Sequence, residues 1–209
     1  MAVSGTMPEI RRATDSDAKA IKKLINSKFV RKQQRIDRGF LPFKLGSSAI
    51  TAYLRDSTTC VAYDGDKLAG VVIALNKQTL FKWYPEFRES STEIPETLEV
   101  PELIGTTWHP APVPFEERDI THIEMVATAK NAPAGTFARL YDLLASIVDT
   151  AFITGEIVLA TEDGVRNDRS FEIHIKKYDS RFQYYRYDAK TRSHSLTGFM
   201  ERSKLLLTA

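Results

Sequence analysis

The sequence predicts one α/β domain. Three patterns carry that expectation: an amphipathic helical run near the start, a short Asp-Gly turn between two β-rich runs, and a strand–loop–helix–strand order over 119–161. A chain of 209 residues suits one domain, or one domain with a sizeable insertion. Hydrophobic residues make up 43%, enough to bury an ordinary core at this length.

The elements follow in order. A short strand is predicted at 9–13. Thr14-Asp15-Ser16-Asp17 then offers an N-cap with acids in the first turn, where the positive end of the helix dipole favours them. Ala18, Ile21, Leu24, Ile25 and Phe29 recur at helical spacing and give one apolar face. The run Asp37-Arg38-Gly39-Phe40-Leu41-Pro42 ends that helix, and a second is expected at 47–54. Strands at 59–63 and 67–75 flank the turn Asp64-Gly65-Asp66, a strong hairpin signal. Val71 to Leu75 is a continuous apolar run, so the second strand is expected to be covered on both faces.

Residues 78–118 differ from what surrounds them. They hold Pro85, Pro95, Pro101, Pro110, Pro112 and Pro114, many acids, and both tryptophans, Trp83 and Trp108. A loop of this length inside a compact domain is usually functional or disordered, and the aromatics argue against disorder. We read it as an insertion packed over one end of the sheet; a solvated linker anchored by a few aromatics is the other reading. A strand is predicted at 119–128. Gly135 opens a helix on which Phe137, Leu140, Tyr141, Leu144, Ile147 and Val148 repeat at a period near 3.6. Gly155 precedes a strand at 156–161, so the two strands should run parallel through a right-handed crossover. Strands at 182–187 and 194–202 close the chain.

Composition excludes several function classes. Charged residues make up 27% with a formal net charge of +2, which gives no basic stripe for nucleic acid. Arg31-Lys32 and Lys176-Lys177 are too short to change this. Cys60 is the single cysteine, so no internal disulfide forms and a reduced, cytoplasmic chain is expected. The opening MAVSGTMPEI does not read as a signal peptide, and no apolar stretch approaches a membrane span. Four histidines and one cysteine form no cluster at metal-ligand spacing, so no metal is expected. There is no Gly-x-Ser-x-Gly elbow to support a hydrolase.

Three segments carry a resemblance. EIRRATDSDAKAIKKLI resembles the first strand and helix of the GNAT superfamily of acyl-CoA-dependent N-acyltransferases. HIEMVATAKNAPAGTFARLYDLL resembles its central strand, pyrophosphate loop and helix, and RNDRSFEIHIKKY its Asn-x-x-Ser…Phe-Tyr region. The resemblance covers about residues 8 to 202. It implies a mixed, largely antiparallel sheet with a central splayed parallel strand pair and helices on both faces. It also implies a single acyltransferase domain over 8–204, with 78–118 as its insertion. The implied activity is transfer of an acetyl group from acetyl-CoA to a primary amine of a small molecule or peptide.

Site residues follow from that resemblance. Met125, Val126 and Ala127 would offer backbone groups to the pantetheine arm, as an added strand does. Lys130, Asn131, Ala134, Gly135 and Thr136 would receive the pyrophosphate at a helix N-terminus, where unpaired N–H groups favour an anion. Asn167 and Ser170 correspond to residues beside the arm. Glu124 corresponds to a glutamate that serves some members as general base, directly or through water. His174 stands where the family tyrosine protonates the leaving thiolate, with Tyr178 and Tyr141 as further donors. Arg35, Arg38, Phe40, Trp83, Trp108 and His109 are candidates to line the acceptor site. Homodimerisation is compatible with the resemblance; a membrane or nucleic-acid partner is not expected.

Two features depart from the family pattern. The family loop reads Arg/Gln-x-x-Gly-x-Gly/Ala, whereas this chain reads Ala132-Pro133-Ala134-Gly135-Thr136-Phe137. The basic or amide residue is gone and a phenylalanine replaces a small residue. Phe171, Ile173 and Ile175 alternate with polar residues, which by itself reads as a strand, while the resemblance reads a helix. A catalytically silent GNAT-like domain that binds a ligand or a partner protein is therefore the competing function.

Overall fold

The computed structural model describes residues 7–28, 44–96, 98, 115–161, 168–189 and 192–206. Seven strands form one sheet: β1 (Glu9–Arg12), β2 (Thr58–Asp64), β3 (Lys67–Asn76), β4 (Ile120–Thr128), β5 (Phe152–Thr161), β6 (Arg181–Asp188) and β7 (Ser193–Glu201). Their spatial order is β1-β2-β3-β4-β5-β7-β6. The β4–β5 pair is parallel and the other pairs are antiparallel. The sheet is thus mixed and largely antiparallel. The helices are α1 (Ala18–Asn26), α2 (Ser47–Asp56), α3 (Lys77–Trp83), α4 (Thr136–Ile147), α5 (Asp168–Tyr178) and α6 (Arg202–Leu206).

Side-chain alternation sorts the helices between two faces. Val61, Val71, Ile73 and Leu75 pack with Ile21 and Ile25 of α1, Ile50 and Tyr53 of α2, and Leu80 and Phe81 of α3. Cys60, Ala62, Val72 and Ala74 point the other way, onto Leu140 and Leu144 of α4, Tyr178 of α5 and Leu205 of α6. Residues 71–75 of β3 are all buried, because apolar cores lie on both of its faces. Gly70 lets α4 approach closely. A Cβ there would stand 2.8 Å from Leu140 Cδ1 and 3.0 Å from Thr136 Cγ2.

The opening acids do more than cap a helix. Asp17 is buried and takes both Arg11 nitrogens, at 2.8 and 3.0 Å, with the Tyr63 hydroxyl at 2.8 Å and the Thr14 N–H at 2.7 Å. It ties β1, β2 and the start of α1 together. Its hydrogen bond from Arg11 holds its carboxyl well below the ordinary carboxylate range.

The structure refines or corrects the sequence reading at four elements. β5 begins at Phe152 rather than after Gly155, so the glycine lies inside the strand. Residues 168–178 form a helix, because Phe171 and Tyr178 face the core on one side while Glu172, Lys176 and Lys177 are exposed. The segment read as an insertion begins with α3 and a 3-10 turn, Pro85–Glu89, which bury Leu80, Phe81 and Phe87. The chain past β7 turns into α6 at Arg202 instead of extending the strand. Phe29 and residues 97 and 99–114 of the insertion lie outside the described residues. No described helix is long and apolar enough to cross a membrane.

Candidate active site at the β4–β5 fork

β4 and β5 pair over only four positions, Ile120 with Phe152 through Ile123 with Gly155. Beyond them β4 stays on β3 as far as Thr128, while β5 stays on β7 as far as Thr161. The two parallel strands therefore part, and a fork opens between Met125 and the 156–161 half of β5. Strand edges released in this way leave main-chain donors and acceptors available to an extended ligand.

Glu124 sits at the crotch of the fork. It is the extra residue of a β-bulge: Ala74 pairs with Ile123 and Ile73 with Met125, which leaves Glu124 between them. The bulge reverses the side-chain alternation. Ile123 packs on the α4 side, and Glu124 and Met125 both turn to the α1–α3 side. There the Tyr53 and Tyr84 hydroxyls reach Glu124 Oε1 at 2.9 and 2.8 Å. Burial raises the carboxyl above its ordinary range, more than the two hydroxyls lower it. Trp83 packs edge-on to Tyr53 with ring centres 5.3 Å apart, so it supports this group from behind. Glu156 and Arg186 form a bidentate pair at 3.0 and 2.7 Å, and the Arg186 guanidinium lies over Phe87 at 4.8 Å.

The opposite side of the fork is aromatic. Phe137 and Tyr141 of α4 meet His174 and Tyr178 of α5, with ring centres 4.3 to 6.3 Å apart. The His174 Nδ1 lies 2.7 Å from the Ser170 carbonyl oxygen, which can only accept. Nδ1 therefore carries the proton, and Nε2 accepts from the Tyr141 hydroxyl at 3.3 Å. Burial lowers the His174 pKa, so its neutral form is favoured. The Tyr178 hydroxyl is buried without a hydrogen-bond partner among the described residues.

The loop after β4 carries the remaining sequence candidates. Lys130, Asn131 and Ala134 are exposed. Gly135 has a φ of +80°, the left-handed conformation that glycine adopts without a steric cost. Thr136 is buried and its hydroxyl donates to the Pro133 carbonyl at 2.7 Å. Among the described residues, no acceptor pairs with the N–H groups of Gly135, Phe137 and Ala138. The backbone thus fits a phosphate-bearing thioester arm: an opened strand edge leads to a helix start with unpaired donors. The Phe137 ring leans into the aromatic cluster between α4 and α5, which narrows the space beside that arm.

Glu124, Met125, Val126 and Ala127 are brought to the fork, with His174, Tyr178 and Ser170 across α5. Trp83 stands one ring away from Glu124, through Tyr53. Arg35, Arg38, Phe40, Trp108, His109 and Asn167 lie outside the described residues. Tyr53 and Tyr84 were not found by sequence reasoning. Tyr53 is one tyrosine in a plain amphipathic helix, and Tyr84 lies in the insertion; neither position announces a partner 71 or 40 residues away.

No protein-family model matches the sequence, and no curated protein is significantly similar to it. Solved structures are similar in shape. An N-acetyltransferase from Staphylococcus aureus Mu50 shares 11% identity, with 95% of this chain and 99% of that one covered at a TM-score of 0.57. Ard1 from Thermoplasma volcanium shares 12%, with 94% and 98% covered and a TM-score of 0.58. An acetyltransferase from Bacillus subtilis, solved in complex with CoA, shares 13%, with 93% and 98% covered and a TM-score of 0.51. Acetyltransferases of the GNAT family from Bacillus cereus and Desulfovibrio desulfuricans are similar over nearly their whole length. With its forked parallel pair, its bulged central strand and this likeness in shape, the chain has the GNAT acetyltransferase fold at low sequence identity.

Proposed function

We propose that the chain is an N-acetyltransferase that moves an acetyl group from acetyl-CoA to a primary amine of a small molecule or peptide. The observation that carries this reading is the parting of β4 from β5 beside a bulged, half-buried glutamate. Acetyl-CoA, when bound, supplies the acetyl group as a thioester. Met125, Val126 and Ala127 offer main-chain groups to its arm, and the N–H groups at Gly135, Phe137 and Ala138 offer donors to its phosphates. Lys130 and Asn131 are the side chains nearest in sequence that could replace the lost basic residue.

Glu124 is the general base. A carboxyl whose pKa burial has raised is suited to take a proton from an amine near neutral pH. Backbone N–H groups near Val126 oppose the charge that develops on the thioester oxygen. Of the candidate acids, Tyr178 has the chemistry in its favour. Its hydroxyl has a proton to give and no partner among the described residues, whereas the His174 Nε2 is an acceptor in its favoured neutral form. His174 serves as acid only in its imidazolium form.

Acetyl-CoA should raise the melting temperature, because a ligand that binds only the folded state stabilises it. At a hundredfold excess over Kd the gain is about 2.7 kcal/mol. An unchanged melting temperature at millimolar acetyl-CoA overturns the proposal. One observation favours the second reading, a silent GNAT-like binding module. Phe137 stands where the family has a small residue, and its ring bridges α4 and α5. That reading expects Glu124→Gln and His174→Ala to leave function intact.

A further inference from the structure

Three oxygen atoms close a triangle at the crotch of the fork. The Tyr53 and Tyr84 hydroxyls are 2.7 Å apart, and they lie 2.9 and 2.8 Å from the same atom, Glu124 Oε1. Every edge has the length of an O–H···O hydrogen bond, and each such bond needs its own proton. The two hydroxyls supply two. If Glu124 is ionised, both protons point at Oε1, and the tyrosine oxygens face each other lone pair to lone pair across 2.7 Å. A proton on Oε1 completes the ring: the carboxyl donates to one tyrosine, that tyrosine to the other, and the second back to Oε1.

The surroundings agree with a neutral carboxyl. α1 turns Ile21, Leu24 and Ile25 toward this side of the sheet. α2 brings Tyr53, and the turn after α3 brings Tyr84, with Glu86 beyond it 3.7 Å from Arg186. β5 brings Glu156, which disfavours the charged form, and β6 brings Arg186, which favours it. Those two are bonded to each other, so their effects largely cancel. On β4 itself His122 is buried against Thr154, with its pKa pushed down to about 3, and adds no charge.

We propose that Glu124, Tyr53 and Tyr84 form one proton-sharing unit that rests with the carboxyl protonated, the two tyrosines being positioning residues that set the strength of the base. As a step in catalysis this rests on the transferase reading. Tyr53 is buried and Tyr84 is partly exposed, so the resting proton leaves Oε1 for water by way of Tyr84. The carboxylate then takes a proton from the amine. The nitrogen electron pair forms the new C–N bond, the C–S bond breaks, and the departing thiolate takes the proton of Tyr178.

The test is a titration of the full chain, carrying carbon-13 at the glutamate side-chain carboxyl carbons, followed by NMR. Glu124→Gln identifies the Glu124 signal by its loss. The expected midpoint lies well above the ordinary glutamate range, high enough for the carboxyl to keep its proton at neutral pH. Tyr84→Phe and Tyr53→Phe should each move it, by on the order of one unit, because each breaks the ring of three hydrogen bonds that the protonated carboxyl closes. An ordinary midpoint that neither substitution moves overturns the proposal. So does a loss of stability in both variants with the midpoint unchanged, the mark of a merely structural role. If Tyr53→Phe does not fold, Tyr84→Phe decides alone. The titration contains no acyl-CoA. A raised, tyrosine-dependent midpoint together with no acetyl-CoA thermal shift would therefore remove the transferase reading and leave the unit standing.

Discussion

The two sides of the fork are built on different principles. On the α1–α3 side a half-buried carboxyl is hydrogen-bonded by two tyrosine hydroxyls, with an ion pair behind it. On the α4–α5 side four rings fill the space between two helices, and one hydroxyl has no partner among the described residues. The first side keeps polar groups that a hydrophobic core would not need, since burying them costs free energy unless each is paired. The second spends its residues on packing. The difference separates the two candidate acid–base groups: the bulge turns Glu124 to the α1–α3 face, while Tyr178 stands among the rings of α4 and α5.

The largest expected effect tests the polar side. Glu124→Gln keeps the shape and removes the base; it should lower the acetylation rate by roughly 10² to 10⁴ while circular dichroism stays unchanged. Equal rates in the two proteins would end the contrast, since the polar side would then have no chemical role. Phe137→Ala tests the aromatic side. Loss of a half-buried ring should cost about 1–3 kcal/mol of stability in denaturant unfolding. In the same protein, calorimetry should show acetyl-CoA binding about tenfold tighter, roughly 1.4 kcal/mol, as the gap between α4 and α5 widens. Weaker binding would mean that the ring supports the arm instead of crowding it.

Gly70→Ala asks how firmly α4 is seated. The added methyl meets Leu140 and Thr136 side chains, and Leu140 has no solvent to move into. A loss of about 1–2 kcal/mol is expected, partly offset by the stiffer unfolded chain. Tyr178→Phe gives the smallest change in stability and the sharpest division. Removing a buried hydroxyl that has no partner among the described residues should stabilise the fold slightly, by up to about 1 kcal/mol, while slowing acetyl transfer. If the rate holds, Tyr178 is packing alone and the leaving group finds its proton elsewhere.

Much of the frame was legible in the sequence. The Asp-Gly hairpin, the helical face of 136–147 and the parallel unit that follows rest on local chemistry, and local patterns report them faithfully. The boundary of β5 was misjudged because Gly155 resembles a stop, yet it lies inside the strand in register with Ile123. The alternation of 171–175 suggested a strand; in the structure two rings facing the core and the charged outer side fix a helix. The site was legible only in part. Glu124 was reached through the resemblance of its strand to the central strand of the family. The tyrosines that hold it come from a helix and an insertion far away in sequence, and contacts of that range leave no periodic trace. Nor does a bulge, since it appears only when two strands are laid side by side.

The brevity of the β4–β5 pairing reaches beyond the site. Among the described residues, four residue pairs join the first four strands of the sheet to its last three. An occupant lying along the gap would bond to both banks and act as a tie across it. Ligand affinity and mechanical cohesion would then rise and fall together, and amide protection along both banks would report the occupant directly.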